Sequence, residues 1–304
     1  MPRELVEHPG LAAAGVPEGR YVELPGRGRV WVREVTGPPG APVVVLLHGL
    51  SATGGTNWAS AFRPLGQHYR VLAVDHRGHG RGIRSRHFRL EDCADDVVAL
   101  ADALGIDEMT VVGYSMGGPI AQLVWHRHPG RVSGMVLCAT SRDFRGRLDD
   151  RLMFLGLGAL NWYLHGFPRG VQTQAWMAMA RVAAGGFATP DLRKWVAEEL
   201  RRHDPRLVGE AAVAIGSFTS REWITGIDVP VAVIATEDDQ LVPLRRQLKL
   251  AHHIPSAVLH PVKGDHFAVT RQAQEFVDAL LESCAEVTRR HARWRATYSA
   301  AQPA

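Results

Sequence analysis

The sequence predicts an α/β protein: a mostly parallel eight-stranded sheet with helices on both faces and an inserted helical cap. Three observations predict it. Short apolar runs such as Val43-Val44-Val45-Leu46-Leu47, Val71-Leu72-Ala73-Val74 and Val231-Ala232-Val233-Ile234-Ala235 alternate with segments of helical period. Continuous runs of that kind suit strands covered on both faces, and the alternation suits parallel strands joined by helices. A further run, Val111-Val112, stops at Gly113-Tyr114-Ser115-Met116-Gly117-Gly118, which reads as a sharp strand-to-helix turn carrying a serine. Between Ser141 and Gly226 the alternation ceases and only apolar, helix-like pieces remain.

Taken in order, residues 1 to 19 form an irregular lead-in, with Pro2, Pro9 and Pro17 among them. Arg20 to Leu24 and Val30 to Val35, separated by Pro25-Gly26-Arg27-Gly28, read as two antiparallel strands joined by a tight loop. The Val43 strand ends at His48-Gly49-Leu50-Ser51, and Trp58 to Leu65 reads as a short helix. The Val71 strand ends at Asp75-His76-Arg77-Gly78-His79-Gly80. Leu90 to Leu104 has helical spacing and begins with Glu91 and Asp92, where carboxylates suit the positive helix end. Thr110 to Val112, a helix reaching His128, and the strand Val132 to Cys138 follow. Leu152 to Leu164, Val171 to Ala184 and Asp191 to Arg202 make up the cap. The sheet resumes at Val229 to Ala235 and at Ala257 to Val262, with helix Pro243 to His253 between them. A last helix runs from Val269 to Arg290, and Ser299 to Ala304 is expected to fray. The resulting organisation is a core of residues 1–140 and 227–304 interrupted by a cap at 141–226.

The composition, 304 residues with 46% hydrophobic, 22% charged and a formal net charge of +4, is that of a globular chain with a sizeable core. Basic residues are scattered among acids. The densest cluster, Arg289 to Arg295, suits the negative end of a terminal helix, so nucleic acid is not an expected partner. Cys93, Cys138 and Cys284 are odd in number and far apart, which argues against disulfides or a thiolate metal site. No stretch reaches the length of a membrane span, and the first twenty residues lack the basic start and apolar core of a leader. A cytoplasmic location and no stable membrane insertion are the expectations.

At the Ser115 turn, strand and helix pass so closely that side chains at 113 and 117 would collide, which accounts for both glycines. The hydroxyl is pushed out at the sheet edge. The helix that follows aims unpaired backbone N–H groups at the same spot, that of Met116 foremost. A serine hydroxyl is a poor nucleophile at neutral pH and needs a base in reach, with a group to orient that base. The acidic loop Thr236-Glu237-Asp238-Asp239-Gln240-Leu241-Val242-Pro243 and the loop Lys263-Gly264-Asp265-His266-Phe267 each follow a strand and supply both groups.

These motifs carry a resemblance. From Pro42 to Glu282 the chain resembles the α/β-hydrolase fold superfamily, in its serine esterase and lipase branch with a helical cap. The residues that carry it are His48-Gly49-Leu50, Asp75-His76-Arg77-Gly78-His79-Gly80, Gly113 to Gly118, and Asp239-x-x-x-Pro243 with Gly264-Asp265-His266. Their order, serine then acid then histidine, matches the family. The resemblance implies Ser115 as nucleophile, His266 as general base and then acid, and Asp239 as orienter, because relatives place the acid four residues before the proline opening the next helix. Asp238 and Asp143 stay open as rival acids. It further implies an oxyanion hole from the N–H groups of Leu50 and Met116, and largely structural roles for His48, Arg77 and His79.

His76, His87, His126, His128, His252 and His253 show no His-Glu-x-x-His spacing and are expected at solvated positions, and no glycine-rich phosphate loop is present. No metal and no other cofactor is therefore expected. The implied reaction is cleavage of a carboxylic ester, with an apolar acyl group or a small aromatic substrate, through an acyl-enzyme. Trp162, Tyr163, Phe167, Trp176, Met177 and Met179 of the cap are candidates for lining the acyl pocket. The same site type also serves carbon–carbon bond, lactone or thioester hydrolysis and perhydrolysis, and a non-catalytic ligand-binding protein is the remaining alternative. A homodimer is left open.

Overall fold

The computed structural model describes residues 15–144, 156 and 190–301. Within them, eight strands form one sheet: β1 (Gly19–Leu24), β2 (Gly28–Val35), β3 (Val43–Leu47), β4 (Arg70–Val74), β5 (Met109–Tyr114), β6 (Val132–Cys138), β7 (Val231–Thr236) and β8 (Ala257–Val262). Their order is β1-β2-β4-β3-β5-β6-β7-β8. Only the β1–β2 and β2–β4 pairings are antiparallel. From β4 through β8 every pairing is parallel. All those parallel strands therefore end at one edge, and the loops that follow β3, β5, β7 and β8 meet there.

The side-chain alternation of each strand divides the core in two. Val45, Leu47, Val111, Met135, Leu137, Val231 and Val233 face one side. There they pack against α3 (Leu90–Ala103), α4 (Gly117–Arg127) and α6 (Pro205–Ser217). Val44, Leu46, Val112, Val136, Ala232 and Ile234 face the other. That side is covered by α1 (Gly54–Trp58), α2 (Phe62–Gly66), α5 (Pro190–Leu200) and α9 (Ala273–Ala301). The eight-stranded, mostly parallel architecture with helices on both faces is thus as the alternation predicts.

Two helices differ from expectation. In place of one helix over Trp58 to Leu65, α1 starts at Gly54 and a turn separates it from α2. Gly-Gly-Thr is a poor helix sequence. Contact with β4 overrides it: a Cβ on Gly54 would lie 2.9 Å from the Val74 carbonyl, the Asp75 carboxylate accepts Gly54 N–H at 2.9 Å, and Thr53 with Thr56 closes a capping box. At the C-terminus a short α8 (Ala268–Arg271) precedes α9, which continues to Ala301 instead of ending at Arg290. Arg295 and His291 reach Glu108 in the loop before β5 and hold the added turns down. Helix α7 (Leu244–His253) matches its expectation.

Of the segments expected to form a cap, Leu152 to Leu164 and Val171 to Ala184 lie outside the described residues, as do Trp162, Tyr163, Phe167, Trp176, Met177 and Met179. The expected Asp191 to Arg202 helix is α5. The ends of this stretch are paired: Phe144 N–H donates to Phe218 O at 3.1 Å and Ser220 N–H to Arg142 O at 2.8 Å. The three cysteines are buried and free, and no described helix is long and apolar enough to cross a membrane.

Candidate active site

The turn after β5 is as tight as its glycines require. A Cβ at Gly113 would lie 2.2 Å from the Gly117 carbonyl, and one at Gly117 would lie 2.2 Å from the Leu47 carbonyl. Ser115 itself sits at φ +50°, a left-handed conformation that a non-glycine residue adopts only when its surroundings enforce it. Three bonds do so. Ser115 N–H donates to Cys138 O at 2.9 Å, while Ser115 O accepts from Gly118 N–H at 2.9 Å and from the Thr140 hydroxyl at 2.8 Å. Pro119 falls in the first turn of α4, where its missing N–H costs nothing.

Two distant loops converge on the Ser115 hydroxyl. His266 Nε2 lies 2.9 Å from Ser115 Oγ, and His266 Nδ1 lies 2.8 Å from Asp239 Oδ2. The acid and histidine loops are themselves laced together, extending the β7–β8 pairing: Glu237 N–H donates to Val262 O and Asp238 N–H to Gly264 O, each at 3.0 Å. With Nδ1–H donating to Asp239, Nε2 is the nitrogen presented to the serine as acceptor.

The Asp239 side chain is wholly buried, and its charge is matched by donors. Oδ1 accepts the N–H groups of Leu241 and Val242 at 2.9 and 2.7 Å. Oδ2 accepts the Thr236 hydroxyl at 2.8 Å and Gln247 Nε2 at 3.4 Å beside His266. Gln247, buried on α7, also bonds Val242 O and both the backbone and hydroxyl of Thr236, so one amide ties the whole acid loop together. Sequence reasoning overlooked Thr236 and Gln247. The only local signal was, for Gln247, a polar residue on the inner face of an amphipathic helix and, for Thr236, a hydroxyl at the end of an apolar strand.

Of the rival acids, neither reaches His266. Asp238 is exposed on the loop. Asp143 pairs with Arg221 and forms an isolated bridge with Thr219 at the base of the cap stretch.

The loop after β3 lies against the serine: a Cβ on Gly49 would be 3.3 Å from Ser115 Cβ. Asn57 Oδ1 accepts Gly49 N–H at 3.1 Å. His48 Nε2 accepts His76 N–H at 3.0 Å, which leaves the proton on Nδ1, and that nitrogen donates to Gly49 O at 2.7 Å. A peptide is planar and trans, so holding Gly49 C=O on one side turns Leu50 N–H to the other. Among the described residues, neither Leu50 N–H nor Met116 N–H donates to a protein acceptor.

His48 packs at a tilt against His76 (ring centroids 4.4 Å apart) and His79 (5.2 Å), and His79 in turn packs edge-on against His203 (5.2 Å). All four are buried. Desolvation pushes each below the ordinary histidine range, to about 3 for His76 and about 4 for His79; neighbouring imidazoles add to the shift at His48, His76 and His203, and the Arg84 guanidinium at His79. His76 therefore departs from its expected solvated position. It sits under the Gly49 loop because its backbone N–H is the partner of His48. His87, His126 and His252 are exposed and His128 pairs with Asp95 at 2.9 Å, in keeping with the expectation for loop and helix surfaces. Arg77 forms a two-pronged ion pair with Asp96 at 2.6 and 2.8 Å, which fastens the β4 loop to α3. Among the described residues no three His, Cys, Asp or Glu side chains are grouped as metal ligands.

Residues 42–270 match the family model described as the alpha/beta hydrolase fold. A protein named putative carbamate hydrolase RutD, from Caulobacter sp. (strain K31), is 31% identical over 255 residues, 78% of this chain and 89% of that one. Among solved structures, the enol-lactonase from Burkholderia xenovorans LB400 superposes with a TM-score of 0.72 at 23% identity, covering 88% of this chain and 100% of that one. Est816, titled an N-acyl homoserine lactone degrading enzyme, superposes with a TM-score of 0.63 at 26% identity, covering 86% of this chain and 99% of that one.

Proposed function

Because the chain belongs to the alpha/beta hydrolase fold family, we propose that it is a serine hydrolase that cleaves a small carboxylic ester through an acyl-enzyme. The observation that carries this reading is the continuous chain of contacts from Ser115 Oγ to His266 Nε2 at 2.9 Å and from His266 Nδ1 to Asp239 Oδ2 at 2.8 Å. His266 takes the hydroxyl proton as Ser115 Oγ attacks the carbonyl carbon. The buried Asp239 carboxylate stabilises the imidazolium that forms. The oxyanion of the tetrahedral intermediate accepts hydrogen bonds from Leu50 N–H and Met116 N–H, two donors with no acceptor among the described residues. His266 then protonates the departing alkoxide, and a water activated by the same nitrogen releases the acyl group. This sequence of steps draws on no metal or organic cofactor. The partner is a small-molecule substrate, and the 141–226 stretch acts as the cap that shapes its acyl pocket.

A second reading keeps these roles and changes the bond cleaved. The names of the similar proteins, a putative carbamate hydrolase and an N-acyl homoserine lactone degrading enzyme, favour testing carbamates and lactones beside open-chain esters.

The test is a fluorophosphonate probe together with a substrate panel. Labelling of the wild type and none of Ser115→Ala is expected, and equal labelling of both would sink the proposal. p-Nitrophenyl esters of several chain lengths, lactones, acyl thioesters and carbamates then separate the two readings. Turnover of lactones or carbamates with silence on simple esters selects the second.

A further inference from the structure

Tyr114 lies between Gly113 and Ser115, at a position where the turn itself asks for no particular side chain. Yet it is almost fully buried, 3% exposed, and its hydroxyl donates a 2.7 Å hydrogen bond to the main-chain carbonyl of His266. The ring is wedged edge-on between Trp58 (centroids 6.1 Å apart, planes at 89°) and Phe276 (5.6 Å, 70°), and it lies 5.9 Å from the His266 ring. Burial holds the phenol well above the ordinary tyrosine range, so the hydroxyl keeps its proton and remains a donor.

We propose that Tyr114 is a positioning residue for the Ser115–His266 pair: its hydroxyl holds the His266 backbone so that the imidazole stands at hydrogen-bond distance from the neighbouring serine. The contacts form a closed ring. Ser115 joins Tyr114 through one peptide bond, Tyr114 reaches the His266 carbonyl at 2.7 Å, and the His266 side chain returns to Ser115 Oγ at 2.9 Å. Without that ring, the separation of nucleophile and base would rest on the two loops after β5 and β8, which are 151 residues apart in sequence. With it, a rigid aromatic side chain with only two main torsions sets the distance locally. Tyr114 touches neither the reacting atoms nor the carboxylate, so it acts only through His266. The proposal rests on the reading of Ser115 and His266 as nucleophile and base.

The test compares wild type, Tyr114→Phe, Phe276→Leu and Ser115→Ala. Tyr114→Phe keeps the ring and removes the hydroxyl. It should slow both fluorophosphonate labelling and kcat by about five- to tenfold, the loss of roughly one hydrogen bond's worth of alignment, with KM within about twofold. The downfield Nδ1 proton of His266 should broaden in this variant alone. Phe276→Leu loosens the same aromatic packing without touching the hydroxyl, and should lower Tm at least as much while labelling stays within about twofold of wild type. Equal labelling of wild type and Tyr114→Phe overturns the proposal, as does an equal slowing in Phe276→Leu. In the wild-type protein the Tyr114 hydroxyl proton should exchange slowly with solvent, and free exchange overturns the proposal whether or not the variant folds. A wild type that fails to label, or a Ser115→Ala that labels equally, instead removes the underlying serine-hydrolase reading.

Discussion

Two groups of histidines stand a short way apart in this molecule and are built on opposite terms. His266 is held on Nδ1 by a buried carboxylate and offers Nε2 to a hydroxyl. His48, His76, His79 and His203 are buried against one another, and among the described residues His48, His76 and His79 have no carboxylate at hydrogen-bond distance. An imidazole can take up a proton during a reaction only where the cation is stabilised. In the proposed reaction the Asp239 charge does that for His266, whereas the buried histidine cluster penalises any cation by desolvation and mutual repulsion. The clustered rings are neutral, and three of them hold backbone: His48 bridges the His76 amide and the Gly49 carbonyl, His79 Nδ1 bonds the Arg77 carbonyl and His203 Nδ1 accepts Gly80 N–H. The residue type is the same, and the partner decides what it does.

The contrast can be broken most directly by removing a ring from each group. His266→Ala should lower kcat/KM by about 10³-fold or more with little change in Tm, since the base is lost and only binding and the two amide donors remain. Asp239→Asn should cost about 10³-fold in kcat, because the amide neither orients the imidazole in the needed tautomer nor stabilises its cation. Activity near wild type in either variant, measured on the best substrate of the panel, would remove the distinction between the groups.

His48→Ala should act on the other side of the comparison. It frees the Gly49 carbonyl and leaves His76 N–H without its partner, so kcat should fall by about tenfold through a looser Leu50 amide while Tm drops by several degrees. A loss as deep as that of His266→Ala, with Tm unchanged, would mean that His48 carries protons after all.

Acid sharpens the contrast further. For the clustered buried histidines the folded-state value lies below the unfolded one, about 3 for His76 and about 4 for His79. Between roughly pH 6.5 and those values the unfolded chain binds protons that the folded one refuses, so their contribution to stability is complete above pH 6.5 and is lost as the pH falls. Asp75 works in the opposite sense. Burial, with Glu199 nearby, pushes its carboxyl up to about 7, so the folded protein retains a proton that the unfolded chain has given up. Four groups outweigh one, and Tm should fall steadily from pH 6.5 to pH 4. A flat Tm over that range would contradict the neutral cluster. The smallest effect expected is that of Asp238→Asn, on an exposed carboxylate with no bond to His266, for which kcat should stay within about twofold.

How much of this could be read beforehand varies with the range of the interactions involved. The parallel strands announced themselves because burial on both faces needs an unbroken apolar run, and Val43 to Leu47 or Val132 to Cys138 have little else to become. Ser115 was legible because the clash that forces glycine at 113 and 117 is local to the turn. Asp239 and His266 were legible only through the family pattern, since nothing in their own surroundings in sequence separates them from Asp238 or His260. Gln247, Thr236 and the buried state of His76 left almost no trace, because each depends on segments brought together from elsewhere in the chain.

The sequence by itself determined the alternation of strands and helices, the sharp bend at Ser115 and the presence of an acid and a histidine after the last two strands. These follow from short-range sterics and from the period at which apolar residues recur. The tertiary structure alone decided which acid faces His266, that the clustered histidines are buried and neutral, and that a tyrosine beside the serine grips the histidine backbone. Those outcomes depend on distances between residues far apart in the chain, and such distances exist only once the sheet has brought its strand ends to a common edge.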